Sequence, residues 1–275
     1  MSDNVLLNDE QMATFVIHGY LMLKPGFRRG LNQEVLRQLE QNLSMPDQPP
    51  IDLENDPAHT VILEKAPALR EVLAHPQVDG ALESLVGKPY ELFVHYCHAL
   101  PPGHGGFWWH QDDCNVRHNS VRRVMMMYYP HDVSIDMGPT ILMPGTHFCN
   151  APTDRLHNYG NIRGQKVLAA EAGTVAIAHY DLWHTVSRNR SGRMRYMVKF
   201  GADRANERAR RRWNTNPVEG EAMARNRFHH ELAGIYSPSD YYKVRHRRMR
   251  MWWNLNSDHQ PADEQYQGYA GVPRR

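Results

Sequence analysis

Tyr90-Glu91-Leu92-Phe93-Val94-His95-Tyr96-Cys97-His98-Ala99-Leu100, closed by Pro101-Pro102-Gly103, is where the chain changes character. Upstream of it, apolar residues recur at helical spacing. From it onward they fall in short β-type runs punctuated by Gly and Pro. Those runs are Trp108 to Asp112, Val121 to Tyr129, Thr140 to Met143, Val167 to Ala169, Thr174 to Ala178, Leu182 to Val186 and Met194 to Phe200. Many short strands without interleaved helices predict a sandwich or jelly roll. The fold class expected is mainly β with peripheral helices.

Working back from Tyr90, four helices are predicted. The first runs from Asn8 to His18, with Asn8 as N-cap, Gln11 at the capping-box position, and Met12, Phe15 and Val16 on one face. Gly19 stops it, and Tyr20 to Leu23 read as a short strand. Leu31 to Leu43, Ala66 to Leu73 and Pro76 to Leu85 follow as helices, with a proline-rich acidic loop at Met45 to Pro57. Beyond Gly201, Ala205 to Trp213 and Glu219 to Leu232 read as basic helices, and Gln260 to Arg275 as a polar, mobile tail. One domain over 1–275 is expected: a mostly helical scaffold (1–88), a β core (89–202), and basic C-terminal helices with a tail (203–275).

Composition excludes several classes. The chain has 275 residues, 41% hydrophobic content and a net charge of +2. That hydrophobic share is enough for a core. No apolar run approaches the ~18 residues of a membrane span. Met1-Ser2-Asp3-Asn4 lacks a basic n-region, so export is not expected. Three cysteines, Cys97, Cys114 and Cys149, are too few and odd in number for a disulfide framework. A cytoplasmic location and no membrane partner are the expectation.

The chemistry concentrates in Gly106-Phe107-Trp108-Trp109-His110-Gln111-Asp112-Asp113. His110 and Asp112 form an H-x-D pair, and residues two apart on a strand point to one face. With a histidine from a distant strand they would make a two-histidine, one-carboxylate face, which suits non-haem Fe(II). His184, in Tyr180-Asp181-Leu182-Trp183-His184-Thr185-Val186, is that candidate. Arg195 lies eleven positions later and offers a permanently charged fork for a carboxylate. Arg193 shares its strand parity and is the nearest competitor.

On these residues the chain resembles the phytanoyl-CoA dioxygenase-like branch of the Fe(II)/2-oxoglutarate oxygenases. The likeness includes Asn8 to Gln11, Phe15 and Gly19-Tyr20-Leu21, then Trp109-His110-Gln111-Asp112. It continues through Gly138 to His147 and ends at His184 and Arg195. The resemblance implies a double-stranded β-helix, a cupin-like jelly roll, with helices packed outside. It implies His110, Asp112 and His184 as iron ligands and Arg195 on the distal carboxylate of 2-oxoglutarate. Where family members carry Ser or Thr two positions after the distal histidine, this chain has Val186, flanked by Thr185 and Ser187. Thr140 is the candidate for the missing hydroxyl, and Tyr96 and His98 are candidates for a further 2-oxoglutarate contact. The cofactor set implied is Fe(II), 2-oxoglutarate and O2. The reaction implied is oxidation, foremost hydroxylation, of a C–H bond in a small molecule, with release of succinate and CO2.

Blander readings apply to the neighbours. Phe107, Trp108 and Trp109 read as cavity wall and core, with Trp108 and Met127 also candidates for a substrate pocket. Asp113 reads as a bystander, and His147 and His179 as structural. Residues 201–275 hold fourteen Lys and Arg against nine Asp and Glu. A solvated helical face, a homo-oligomer contact or a lid over an anionic substrate would each use them. Two other functions stay open: a metal-binding β-helix protein without catalysis, and a nucleic-acid-modifying oxygenase. The modest overall charge argues against a nucleic-acid partner.

Overall fold

Asn8 sets the start of the first helix, α1 (Asp9–His18). Its side chain accepts from the Gln11 N–H, while the Gln11 side chain accepts from the Asn8 N–H. Gly19 closes α1 in the left-handed region, at φ 79°. A Cβ there would lie 2.5 Å from Nδ1 of His147, so only glycine lets the chain turn at this point. It turns into β1 (Tyr20–Leu23). This is a computed structural model, and it describes residues 5–43, 58–112, 120–149, 159–231 and 238–256. The loop expected at Met45 to Pro57, Asp113, Cys114 and the tail from Gln260 lie outside the described residues.

The helical scaffold continues with α2 (Leu31–Asn42), α3 (Ala58–Lys65), α4 (Leu69–Leu73) and α5 (Pro76–Val86). The helix expected from Ala66 starts only at Leu69, because Ala66 to Ala68 form a turn in which Leu69 N–H bonds Ala66 O at 3.0 Å. The helix α3 was not anticipated.

The strands are β2 (Tyr90–Leu100), β3 (Arg123–Tyr129), β4 (Thr140–Leu142), β5 (Lys166–Val167), β6 (Thr174–His179), β7 (His184–Val186) and β8 (Arg195–Arg204). They form two antiparallel sheets, ordered β1-β6-β3-β8-β2 and β5-β4-β7. The central strands of the larger sheet are buried on both faces, which explains why they read as unbroken apolar runs. In β3, Val124, Met126 and Tyr128 join the cluster under the helices, while Met125, Met127 and Tyr129 join the cluster between the sheets. In β6, Val175 and Ile177 face the helices and Ala176 and Ala178 the interior.

Two expectations fail for a physical reason. Trp108 to Asp112 is not a strand; it makes a single bridge, His110 to His184. Ala205 to Trp213 is not a helix. Its backbone is committed elsewhere: Lys88 and Arg210 exchange two hydrogen bonds of 2.9 Å, and Ala205 N–H bonds Pro89 O at 3.3 Å. Arg211 is buried and donates to the carbonyls of Leu85 and Val121 at 2.9 and 2.7 Å.

Two C-terminal helices, α6 (Pro217–His230) and α7 (Pro238–Asn256), pack back on α1. The arginine-rich run on α7 is not one solvated face. Arg248 is 1% exposed and donates to Glu231 O at 2.7 Å and Phe228 O at 3.4 Å, satisfying the carbonyl end of α6. Arg247 donates to Phe148 O at 2.6 Å. Arginines at these positions cap backbone and so do not form a phosphate track. Among the described residues no helix is long and apolar enough to cross a membrane.

Candidate metal centre

The segment after β2 is laid against β7 by backbone pairing. Phe107 N–H bonds Val186 O at 2.9 Å, and His110 and His184 exchange bonds of 3.0 Å. Gly106 makes this approach possible: at φ 84°, a Cβ there would stand 2.4 Å from Val186 O. Thr185 Oγ1 donates to Phe107 O at 2.5 Å and completes the seam. The two imidazoles therefore face each other with ring centroids 4.2 Å apart.

Asp112 follows in a bend and closes the set. Its Oδ1 lies 3.7 Å from Nε2 of both His110 and His184. The three donor atoms lie within 4.8 Å of one another. Each imidazole places Nδ1 2.9 Å from a carbonyl, Trp108 O for His110 and Leu182 O for His184. A carbonyl accepts only, so Nδ1 carries the proton and Nε2 keeps its lone pair toward the shared point. That is the preparation a histidine metal ligand needs. The donor set suits a first-row divalent metal of the non-haem iron kind.

The electrostatics agree. Burial lowers the His184 pKa to about 3, with His110 adding to the effect, so its imidazole is neutral at physiological pH. Burial pushes Asp112 upward, but Lys199 and the two imidazoles outweigh it and hold the carboxyl below the usual carboxylate range. Lys199 was not singled out in the sequence. It is 4% exposed, and its ammonium donates to Asp112 Oδ2. Its signal was available: it shares β8 parity with Arg195, four residues on.

Arg195, the first residue of β8, is fully buried. Nη2 donates to Thr140 Oγ1 at 2.8 Å, and Tyr129 donates to the same oxygen at 3.1 Å. Tyr129, at the end of β3, is a second residue the sequence reading missed. Nε and Nη1 of Arg195 have no hydrogen-bond partner among the described residues. The competitor Arg193 is exposed, with Nη2 beside Met137 Sδ at 3.9 Å. Thr185 is used on Phe107 and Ser187 points to Pro139 O at 3.4 Å, so Thr140 is the hydroxyl that reaches Arg195.

The other candidates spread out. Tyr96 and His98 lie on β2 opposite Lys199 and Met197, with their rings 4.5 Å apart. Burial, reinforced by Lys199 and Arg195, holds the His98 pKa well below the usual histidine value. Met127 is buried between the sheets, opposite Lys199 in register. Trp109 is core, with Nε1 donating to Gly160 O at 2.7 Å. Phe107 and Trp108 are not core: they are 41% and 58% exposed. His147 and His179 are buried with ring centroids 5.3 Å apart, and His147 Nε2 lies 3.2 Å from Val16 O, a packing role beneath α1.

Comparison with curated protein sequences gives no match. Among solved structures, the non-heme alpha ketoglutarate dependent epimerase SnoN from nogalamycin biosynthesis is similar, at 17% identity and a TM-score of 0.57. The likeness covers 72% of this chain and 83% of SnoN. HygX from Streptomyces hygroscopicus, with iron bound, is similar at 17% identity and a TM-score of 0.57, over 75% of this chain and 90% of HygX. HygX with nickel, 2-oxoglutarate and hygromycin B bound is similar at 17% identity and a TM-score of 0.54, covering 74% and 89%. At this identity the likeness speaks for the jelly-roll fold alone. Sequence carries the rest: the family described as phytanoyl-CoA dioxygenase (PhyH) matches residues 18–197. The match runs from the end of α1 into β8, through both imidazoles, the carboxylate and Arg195, and on that extent the chain belongs to the phytanoyl-CoA dioxygenase family.

Proposed function

We propose that this chain is an Fe(II)- and 2-oxoglutarate-dependent oxygenase that hydroxylates a C–H bond of a small molecule, with Arg195 anchoring the distal carboxylate of 2-oxoglutarate. The observation that carries the reading is the state of Arg195. A cation buried without full pairing is costly. Two of its nitrogens are buried without a hydrogen-bond partner among the described residues, which an incoming carboxylate remedies. SnoN and HygX are described with metal and alpha ketoglutarate or 2-oxoglutarate bound, in the same fold.

His110, Asp112 and His184 would hold the metal through Nε2, one carboxylate oxygen and Nε2. Bound there, Fe(II) with 2-oxoglutarate supplies the oxidising chemistry, consuming O2 and releasing succinate and CO2. The chain's own residues supply orientation. The Nδ1 bonds to Trp108 and Leu182 keep both imidazoles in the metal-binding tautomer. Thr140 and Tyr129 fix the plane of the Arg195 guanidinium. The sheet interior around Met125, Met197 and Leu142 excludes water behind the site.

The substrate we infer is small and neutral or anionic. Arg195 and Lys199 against Asp112 leave a fixed charge of about +1, which a divalent metal and a doubly charged 2-oxoglutarate do not alter. Phe107 and Trp108, exposed and close to His110 in sequence, offer ring faces on which a cyclic substrate can stack. HygX and SnoN are described with hygromycin B and nogalamycin RO. We also read residues 1–275 as one domain; in support, a single hydrophobic cluster draws on residues from Leu7 to Leu255.

The test is succinate formation from 2-oxoglutarate with Fe(II) and O2. Turnover in the native chain, lost in His184→Ala, is the expected result. No succinate from a metal-loaded protein across a panel of ring-bearing candidates would remove the oxygenase reading and leave a metal-binding jelly roll. Incorporation of labelled oxygen into the product separates hydroxylation from a redox-neutral epimerisation of the kind SnoN is named for.

A further inference from the structure

Lys199 is a buried lysine that the reading above uses only as a charge. It sits on β8 opposite Tyr96 of β2 and Met127 of β3, on the interior side. Its ammonium donates to Oδ2 of Asp112 and lies 5.9 and 5.8 Å from the ring centres of Tyr96 and Tyr180. The other oxygen, Oδ1, is the one 3.7 Å from both imidazole Nε2 atoms. The carboxylate is thus divided, one oxygen to the ammonium and one to the imidazole pair. A lysine placed beside a cation site repels the cation, so its presence there calls for a compensating use.

We propose that Lys199 is a positioning residue of the metal centre: by occupying Oδ2 it restricts Asp112 to one-oxygen ligation. The inference rests on the metal reading of His110, Asp112 and His184. Two imidazole nitrogens and one oxygen leave an octahedral ion three open positions. A carboxylate bound through both oxygens takes one of them. A co-substrate that binds through two atoms then fills the sphere, and nothing remains for a further ligand. Partners that orient a ligating carboxylate act on metal sites in this way.

The experiment uses the full chain with Mn(II), counting metal-bound waters by water-proton relaxation and measuring affinity by titration. The wild type is expected to hold three waters, the positions its three protein atoms leave. In Lys199→Met the freed Oδ2 turns to the metal, one water is lost, and Mn(II) binds as tightly as in wild type or severalfold tighter because the neighbouring positive charge is gone. Lys199→Arg keeps the charge but presents two parallel donors that draw on both oxygens, and Mn(II) affinity is expected to fall at least tenfold. Two waters in the wild type, or an unchanged count in Lys199→Met, overturns the proposal. If Lys199→Met does not fold, unchanged affinity in Lys199→Arg overturns it. Absence of Mn(II) binding, or binding that survives His184→Ala, removes the metal reading itself, a result distinct from failure at Lys199.

Discussion

Replacing Arg195 with methionine separates a ligand anchor from a structural residue, because the two roles move stability in opposite directions. Arg195 is fully buried, with one hydroxyl partner and, among the described residues, two unpartnered nitrogens. Exchanging an underpaired buried cation for an apolar side chain is commonly neutral or stabilising, by ~1–4 kcal/mol. The loss of the Thr140 bond, ~1 kcal/mol, works against that. The ligand-free variant is therefore expected to be as stable as wild type or slightly more so. Binding of 2-oxoglutarate should suffer instead. Two charge-assisted hydrogen bonds are worth ~1.5–3 kcal/mol each, so Kd weakens by roughly 10²- to 10⁴-fold. At 2-oxoglutarate about 100 times the wild-type Kd, the ligand stabilises wild type by ~2.7 kcal/mol. For a chain of this size that is a rise in Tm of roughly 5–10 °C. The variant, at or below its own Kd, gains ~0.4 kcal/mol or less, about 1 °C. Thermal unfolding with Mn(II), without O2, reads both quantities. Arg195→Met protected by 2-oxoglutarate as fully as wild type would refute the anchor, and a large loss of stability without ligand would mark Arg195 as structural.

Other outcomes follow from the same geometry. Gly106→Ala puts a Cβ 2.4 Å from Val186 O in a left-handed backbone, so it should cost ~1–3 kcal/mol in urea unfolding and weaken Mn(II) binding; metal affinity equal to wild type would mean that the seam does not position His110. Arg248→Met removes the buried donor to Glu231 O and Phe228 O and should cost ~2 kcal/mol by chemical denaturation, with 2-oxoglutarate turnover intact. Burial holds His98, His147 and His184 below the ordinary histidine value of 6.5, His184 at about 3. The unfolded chain therefore binds more protons than the folded one once the pH drops beneath about 6.5. Their contribution is complete above that pH and is lost progressively toward about 3. Metal-free protein followed by circular dichroism should lose stability over this window, and a flat profile between pH 7 and 4 would contradict the neutral, buried imidazoles.

What could be read in the chain follows from how locally each feature is determined. The start of α1 was legible to the residue, because Asn8, Gln11 and Gly19 act on their immediate neighbours. β2 was legible in full, as a long run closed by a proline turn. His110, Asp112, His184, Arg195 and Thr140 were named from the sequence; the structure gathers the first three and sets Arg195 against Thr140. What failed was decided at long range. Trp108 to Asp112 has strand composition, but only His110 finds a partner backbone, on β7. Ala205 to Trp213 has helical composition, but Lys88 and Pro89 claim its hydrogen bonds. Lys199 and Tyr129 were missed because they lie inside strands that read as core, where one polar residue in an apolar run carries no local mark of its partner.

The same long-range dependence gives the site its coupling to the fold. Its parts come from both sheets: Arg195, Lys199 and Tyr129 from the five-stranded one, Thr140 and His184 from the three-stranded one. Two bonds tie the sheets across the interior, Arg195 to Thr140 and Tyr129 to Thr140, and Asp112 joins Lys199 to the imidazole pair. None of these groups can reach its partner unless Met125, Met127, Leu142 and Met197 have packed between the sheets. Hydrophobic closure thus carries with it the expense of enclosing two cations and a carboxylate. A metal on the triad and a carboxylate at Arg195 meet groups already fixed in place, so their binding energy returns as stability of the closed sandwich by mass action. A sandwich opened by a packing change such as Met197→Ala should therefore lose metal affinity and 2-oxoglutarate affinity together, although Met197 ligates neither.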